Sequence, residues 1–457
     1  MKYYHYWMLT LGALLLFVSC KNDDDVYVIL PIETTADVAQ VIQGEMVALL
    51  VLVNDINIEE EALLSFSTPS TGTASIDTFN TMSVLDDAIL YSAPEDFIGD
   101  VSFTYTICNT AQSCKKELIT ITVVPSSQVN FDPSIEPFLI LSSYNFFAGD
   151  IKSLTPNPRV LPYKPISSLF SDYALKKRFV WMPDGVKASY NGDGEPLDFP
   201  VGTVLIKNFY YENVLPSNDT RIIETRLLYK TDTGYKFAEY IWNEEQTEAF
   251  LDVEGDGGFT DVTWLQDGEK RTVTYRTPAG SECFTCHKSN AENAPIGLKP
   301  QSLNSEYPYP EATQNQLSKF IDIGYLEDNL PPNITTVIDY TDETQTLDLR
   351  VRSYLDINCA SCHQDEGHCN YRSMRFAFDE NETLENRGVC VDPDDFFPEL
   401  EAQKIVKPGD PENSVLFVRL STNEQNRRMP LLGRNSLHIE GIELLEQWII
   451  ALAETCD

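Results

Sequence analysis

Basic side chains are scarce in this sequence. Lys and Arg number 33 against 70 Asp and Glu, a formal charge of −37 over 457 residues. A deficit of that size argues against nucleic acid or an anionic membrane surface as a partner, since both repel a polyanion. It suits a solvated exterior, or a partner protein with a basic docking patch. Histidine is scarcer still, five in all, so chemistry that needs imidazole has few places to be. Extended membrane-spanning runs are missing as well. The apolar stretch from Trp7 to Val18 falls short of the roughly 20 residues that a transmembrane helix takes. Cysteine, by contrast, occurs ten times, which fits an oxidising compartment. The chain is too long for a single core, and about three domains is the expectation.

The first twenty residues, "MKYYHYWMLTLGALLLFVSC", carry one early lysine, the apolar stretch and then Ser19-Cys20, the pattern of an export signal. Phe17-Val18-Ser19-Cys20 resembles a bacterial lipobox, with Phe17 where Leu is usual. The resemblance implies a lipoprotein signal over residues 1–20 whose cleavage leaves Cys20 on the chain, a lipid on Cys20 that tethers it to a membrane, and an acidic tether over 21–27. A plain cleaved signal or an uncleaved anchor is the alternative. The expected location is the cell envelope, as an outer-membrane lipoprotein facing the periplasm or the cell surface.

Residues 28–125 are β throughout: "MVALLVLV", "AILYSA", "VSFTYTI" and "ELITITVV" are short, rich in Val, Ile, Tyr and Thr, and separated by turn residues. That pattern predicts a sandwich. Cys108 and Cys114 bracket "NTAQS" and are expected to close a small disulfide loop. A Pro/Ser-containing linker follows, then a second β-rich region over 140–290. There "FPVGTVLIKNFYY" and "IETRLLYKTDTGYKFAEYIW" are strands, the latter broken at Thr233-Gly234. "VTWLQDGEKRTVTYRTP" is a hairpin with Asp267-Gly268 at its turn. "DVEGDGGFTDVT" starts like a calcium loop at Asp252, Glu254, Asp256 and Gly257, but Thr263 stands where the bidentate Glu belongs. It is an acidic turn.

Residues 291–345 form a connecting segment with one helix over "ATQNQLSKFIDIG", closed by Gly324. Residues 346–457 are helical at both ends. Leu347, Leu349, Val351, Tyr354 and Leu355 follow helical spacing, as do Ile442, Leu445, Trp448, Ile449 and Leu452. The fold class expected is multidomain. An all-β Ig-like sandwich comes first, then a β-rich domain whose last strand leads into Cys283-Phe-Thr-Cys286-His287, a haem-attachment run. Last is an all-α domain whose first helix leads into a second such run at Cys359-Ala-Ser-Cys362-His363, which with a closing helix is the frame of a cytochrome c-like domain.

Two of the five histidines directly follow a C-x-x-C pair: Cys283-Phe-Thr-Cys286-His287 and Cys359-Ala-Ser-Cys362-His363. C-x-x-C-H attaches haem c, the thiols adding to the vinyl groups and the histidine ligating iron. Two disulfides, or one zinc site from both pairs, are the alternatives, but neither needs the histidine. The cofactors expected are thus two covalently attached haems with their iron. For the second, Met429 in "NRRMPLLGRN" is the expected sixth ligand, a soft thioether that favours ferrous iron. His438 and His368 are the alternatives, with His438 read as a surface or supporting residue, and Arg434 is a candidate partner for a propionate. No such loop follows the first motif. Met182 in "VWMPDG" and Lys207 in "FPVGTVLIK" are the candidates there. Cys369 and Cys390 are expected to pair, leaving Cys456 over, although these three cysteines allow three pairings.

Three resemblances add to this reading. "VLVNDIN", "YSAPEDFIGDVSFTYTICNTAQSC" and "ITITVV" resemble the cadherin-like or Ig-like modules of bacterial surface proteins, which implies a spacer or adhesion unit. "PYKPISSLFSDYALKKRFVWMPDG", "CFTCHKSNAENAPIGLKPQSLN", "SYLDINCASCH", "VKPGDPENSVLFVRL" and "RRMPLLGRNSLHIEGIELLEQWI" resemble an uncharacterised family of bacterial dihaem c-type cytochromes, from about residue 140 to the end. This implies haem and export rather than a known reaction. The segment carrying Cys369 and Cys390 departs from that pattern. The layout of "FPVGTVLIK" before a C-x-x-C-H is also similar to cytochrome P460 and β-type cytochrome c′, which implies a haem lying against a sheet. Three functions follow in order: electron transfer at the cell envelope, a haem enzyme with a five-coordinate first haem and the second as relay, and a surface adhesion or scaffold protein carrying haem.

Overall fold

The computed structural model describes residues 30–135, 137–289, 292–310, 312–401 and 403–456. The export signal, Cys20 and the acidic tether lie outside them. No helix among the described residues is long and apolar enough to cross a membrane. The chain divides after Val124 into two compact units.

The first unit has seven strands: β1 Asp37–Ile42, β2 Met46–Leu49, β3 Leu63–Phe66, β4 Thr73–Asp77, β5 Ala88–Ser92, β6 Gly99–Cys108 and β7 Cys114–Val124. They form a four-stranded sheet, β1-β7-β6-β3, and a three-stranded one, β2-β5-β4. β1 runs parallel to β7 and the other pairs are antiparallel. Alternation assigns the faces: Val101, Phe103, Tyr105 and Ile107 of β6 and Ile119, Ile121 and Val123 of β7 point into one core with Tyr91 of β5. A buried aromatic of this kind contributes roughly 1.5–3 kcal/mol. Cys108 and Cys114 face each other at the β6–β7 turn and are bonded, as expected.

The second unit is built on one eight-stranded antiparallel sheet. Its strands are β8 Leu161–Tyr163, β9 Leu175–Trp181, β10 Val204–Val214, β11 Asp219–Thr231, β12 Gly234–Trp242, β13 Ala249–Leu251, β14 Gly258–Gln266 and β15 Glu269–Thr277. The main path is β13-β12-β11-β10-β14-β15, and β9 pairs with both β10 and β8. The break at Thr233-Gly234 and the Asp267-Gly268 turn fall where the sequence puts them. Asp267 and Gly268 both have positive φ, the backbone a tight hairpin needs. One face of the sheet buries Phe179, Ile206, Leu227 and Tyr240. The opposite face buries Val180, Leu205 and Leu228 at one end and Phe209, Val262 and Tyr275 at the other.

The expected all-α cytochrome c-like domain is corrected by the structure, which is mostly sheet with few, short helices. The helices are α1 Cys283–Cys286, α2 Pro300–Leu303, α3 Gln316–Asp322, α4 Leu347–Leu355, α5 Val415–Leu420 and α6 Ile439–Ala451. Between α4 and α5 lie a π turn at Asp356–Ala360 and a long stretch of turns rich in Asp, Asn and Gly. These residues form local side-chain-to-backbone bonds in preference to helix. Nor do residues 346–457 stand alone. Asp172, 1% exposed, accepts through Oδ1 from Asn435 N at 2.7 Å, Ser436 N at 2.7 Å and Ser436 Oγ at 2.8 Å. Asn358 Oδ1 accepts from Phe170 N at 2.8 Å, and Phe170 stacks on His438 at 4.2 Å. Burying Val351, Leu355, Leu445 and Trp448 makes a core between α4 and α6, within the same compact unit as the sheet.

A second correction concerns cysteine pairing. Cys390 bonds Cys456, with Cα atoms 5.2 Å apart, and Cys369 is a buried free thiol. The amide of Cys369 donates to Cys362 O at 2.9 Å, which ties it beside the second motif rather than beside Cys390.

Candidate functional site

The first motif follows β15 directly. Arg276 of that strand donates to both carboxylate oxygens of Glu282 at 2.8 and 2.7 Å, and the Ala279 amide donates to the same group at 2.9 Å. This clamp turns the chain into α1, the single turn that carries Cys283 and Cys286. The acidic loop rejected as a calcium site supports the clamp. Asp252 accepts from Gly255 N and Gly257 N, and a Cβ at Gly257 would collide with the carbonyls of Thr277 and Pro278 where β15 ends. His287 then folds back over the sheet. Its Nδ1 donates to Ala294 O at 2.8 Å and its ring meets Phe237 edge-on at 5.2 Å. With Nδ1 carrying the proton, Nε2 keeps the lone pair that a metal requires.

The second motif leaves α4 through the π turn, an irregularity often found at functional sites. Thr346 caps the helix by accepting from Leu349 N. His363 N bonds Cys359 O at 3.0 Å, as His287 N bonds Cys283 O at 3.0 Å, so the two motifs share one backbone turn. His363 is 8% exposed, and its Nδ1 has no hydrogen-bond partner. Burial, joined by the charges of Arg372, Arg375 and Arg419, pushes its pKa down to about 4. Burial does the same for His287, opposed by the Ala294 carbonyl and reinforced by Lys207 and Arg226, again to about 4. Both imidazoles are therefore neutral at pH 7, the ligating form.

A cavity of about 290 Å³ opens beside the second motif, at the small end of the roughly 300–1,000 Å³ usual for bound groups. Cys359, Cys362, His363 and Met429 all line it, with apolar walls that include Phe376 and Leu416. The structure thus brings together the four residues that sequence spacing nominates for the second haem. His368, an exposed residue, is on the same wall. His438 is not: it is 8% exposed, stacked on Phe170 and bonded through Nδ1 to Tyr354 OH at 3.1 Å. It is a buried packing residue rather than a surface one.

Arg434 also departs from expectation. At 3% exposure, its guanidinium donates to the carbonyls of Met429, Ser436, Arg419, Leu420 and Thr422 and to Asn423 Oδ1. It holds the loop that presents Met429 and leaves no donor for a propionate.

The four motif thiols are free, while four other cysteines are bonded in pairs. Burial pushes Cys283 up to about 11 and Cys359 up to about 12, so neither is poised for thiol exchange. Among the described residues no three His, Cys, Asp or Glu side chains converge as a metal-binding group. What sequence reasoning missed is that the motifs touch. Cys362 Sγ donates to Thr285 O at 3.4 Å across 77 positions of chain, and Cys286 and Cys362 share a side-chain hydrogen bond. Thr285 and Cys286 line the second motif's cavity. No spacing or composition signal could reveal this contact.

The candidates for the far side of the first motif separate. Met182 is fully buried in the apolar core with Val180 and Leu205 and packs as a core residue. Lys207 stands on the sheet face toward His287, its Nζ 4.8 Å from the Phe209 ring centre.

The profile of the bacterial Ig domain family matches residues 29–122, so the first unit is a bacterial Ig domain. No curated protein matches the chain. Among solved structures, a nucleoside hydrolase-related hypothetical protein from Saccharophagus degradans, associated with carbohydrate metabolism, is similar at 14% identity and a TM-score of 0.15. The match covers 19% of this chain and 22% of that one, and at that score it carries no argument about fold or function.

Proposed function

We propose that the chain is an exported dihaem c-type protein that passes electrons at the cell envelope. Cys283, Cys286 and His287 would hold one haem, and Cys359, Cys362, His363 and Met429 the other. When bound, haem supplies a one-electron couple, and the protein's part is placement and tuning. The observation that carries the reading is that both C-x-x-C-H turns fold alike, with free thiols and neutral histidines, His363 buried and His287 half-buried. Ala294 fixes the tautomer of His287, and Arg434 fixes the loop of Met429. The abutting motifs would set two redox groups side by side, which suits relay. The acidic exterior suits a partner with a basic patch, and lipid on Cys20 would keep the chain at the outer membrane. Mass spectrometry of tryptic peptides from the holoprotein tests it: each motif peptide should be heavier by one haem, and the protein should show reversible redox steps. Unmodified motif peptides would end this reading.

A haem enzyme is the second reading, favoured by the burial of Met182 in a core, which leaves His287 without a thioether counterpart. Carbon monoxide binding to the reduced holoprotein at the first site would support it. An unchanged spectrum would remove it.

A further inference from the structure

The inner face of the sheet carries charge where an apolar core is expected. Arg178 of β9, Lys207 of β10, Arg226 of β11 and Glu239 of β12 are directly opposed in register, one row across four strands. Two positions further along, Lys176, Phe209 and Glu224 form the next row on the same face. Both carboxylates pair with Arg226 first, while Glu224 Oε2 and both Glu239 oxygens have no hydrogen-bond partner among the described residues. Arg226 bonds Glu224 at 2.5 Å and Glu239 at 3.1 Å, and Tyr275 OH donates to Glu224 as well.

Three cations are left. Arg178 is 8% exposed and, among the described residues, its side chain has neither a hydrogen bond nor an ion pair; the residue opposite on β8 is Tyr163. Lys207, half-buried, holds its Nζ over the face of Phe209 and feels the charge of Glu224 without an ion pair among the described residues. Lys176 donates to Leu169 O at 2.9 Å and feels Asp172, whose Oδ1 is engaged by Asn435 and Ser436. Burying an uncompensated cation is costly, and a guanidinium is a fork for planar anions. The charges of Lys207 and Arg226 reach His287 and Cys286, so the row lies beside the first motif.

We propose that Arg178 and Lys207 form a buried anion site next to His287 that takes a carboxylate or a small oxyanion. Two sources share that chemistry: the propionate carboxylates of a haem on Cys283 and Cys286, or a free inorganic anion entering from solvent. The first source rests on the proposed function and the second does not.

The test uses the full-length holoprotein, with Arg178→Leu, Lys207→Met and the conservative Arg178→Lys. Nitrate and inorganic phosphate are titrated by calorimetry at constant ionic strength, and the midpoint potential of each haem is followed with pH. A free anion predicts one site per chain in the parent, weakened roughly tenfold to a hundredfold by Arg178→Leu or Lys207→Met and largely kept by Arg178→Lys. The propionate source predicts no titratable binding. Instead the first haem's potential falls in Arg178→Leu and gains a pH dependence as the released carboxylate titrates, while the second haem is unmoved. Anion binding equal in parent and variants overturns the proposal. So does a parent that binds no anion and whose variants keep its pH profile, even if the potential shifts by a constant amount. Haem-free motif peptides would remove the proposed function while leaving the calorimetric arm to decide the anion site. Should Arg178→Leu fail to fold, Lys207→Met and Arg178→Lys carry the same comparison.

Discussion

Replacing Arg434 with Met removes the cation that organises the loop over residues 419–436. Arg434 serves six acceptors at 2.8–3.3 Å, among them the terminal carbonyls of α5 at Arg419 and Leu420. Helix ends leave such carbonyls unsatisfied, and a cation there also meets the helix dipole. Methionine keeps the bulk but strands buried oxygens that each cost about 1–3 kcal/mol. Loop relaxation returns part of that, and breaking a buried charged network typically costs roughly 3–5 kcal/mol, which is the loss expected here. Arg434→Lys keeps the charge but offers three donors on one atom, so it should fall between. Tryptophan fluorescence during guanidinium unfolding is a suitable assay. Outside the first 29 residues, every tryptophan (Trp181, Trp242, Trp264 and Trp448) belongs to the second unit. A midpoint shift at constant slope would report stability alone. A variant within about 0.5 kcal/mol of the parent would refute the argument that this guanidinium holds the loop.

Cys390→Ser should cost about 4 kcal/mol, because the bond to Cys456 closes a loop of 66 residues; Cys369→Ser, which breaks no bond, should cost far less in the same unfolding experiment. Burial pushes His438 down to about 4, so the unfolded chain binds this proton first as pH falls. Stability from this residue is present above about pH 6.5 and lost toward pH 4, about 2 kcal/mol of it by pH 5. His438→Phe should flatten that slope in urea melts recorded between pH 7 and 5, and an unchanged slope would refute the assignment. On the dihaem reading proposed above, Met429→Ala should open the second iron of the holoprotein to carbon monoxide, whereas Met182→Leu, a near-isosteric core exchange, should leave its spectra as in the parent.

Short-range signals account for what the sequence made legible. The Ig domain, the Cys108–Cys114 loop, the Asp267-Gly268 hairpin and the apolar spacing of α4 all depend on residues a few positions apart. So does one wall of the cavity beside the second motif, since Cys359, Cys362 and His363 share one turn. Failures cluster where a partner lies far along the chain. The all-α C-terminal domain was inferred from periodicity in two segments, but Asp172, Phe170 and Asn358 tie those helices to the sheet-bearing unit. Periodicity reports that a helix has an apolar face and is silent on what covers it. The expected Cys369–Cys390 pairing fails for the same reason, because pairing among three cysteines is settled by tertiary approach.

The contact between the motifs gives the remaining departures a common cause. Cys286 and Cys362 meet only because β15 delivers the first motif to the inner face of the sheet and α4 delivers the second to the same region. The elements between them must also close that gap. Gln316 shows how: its side chain bonds Lys164 N and O and Leu303 O, pinning α3 to the segment that enters β9. Asp356, in the π turn just before Cys359, accepts from Phe378 N and lies 3.6 Å from Lys299, eleven residues past Lys288 at the first motif's exit. Polar groups that are buried and paired over such distances specify one arrangement, because any other leaves them unsatisfied. The sheet, the connecting segment and the terminal helices therefore act as one frame around two adjoining C-x-x-C-H turns, and their spacing is a property of the whole unit.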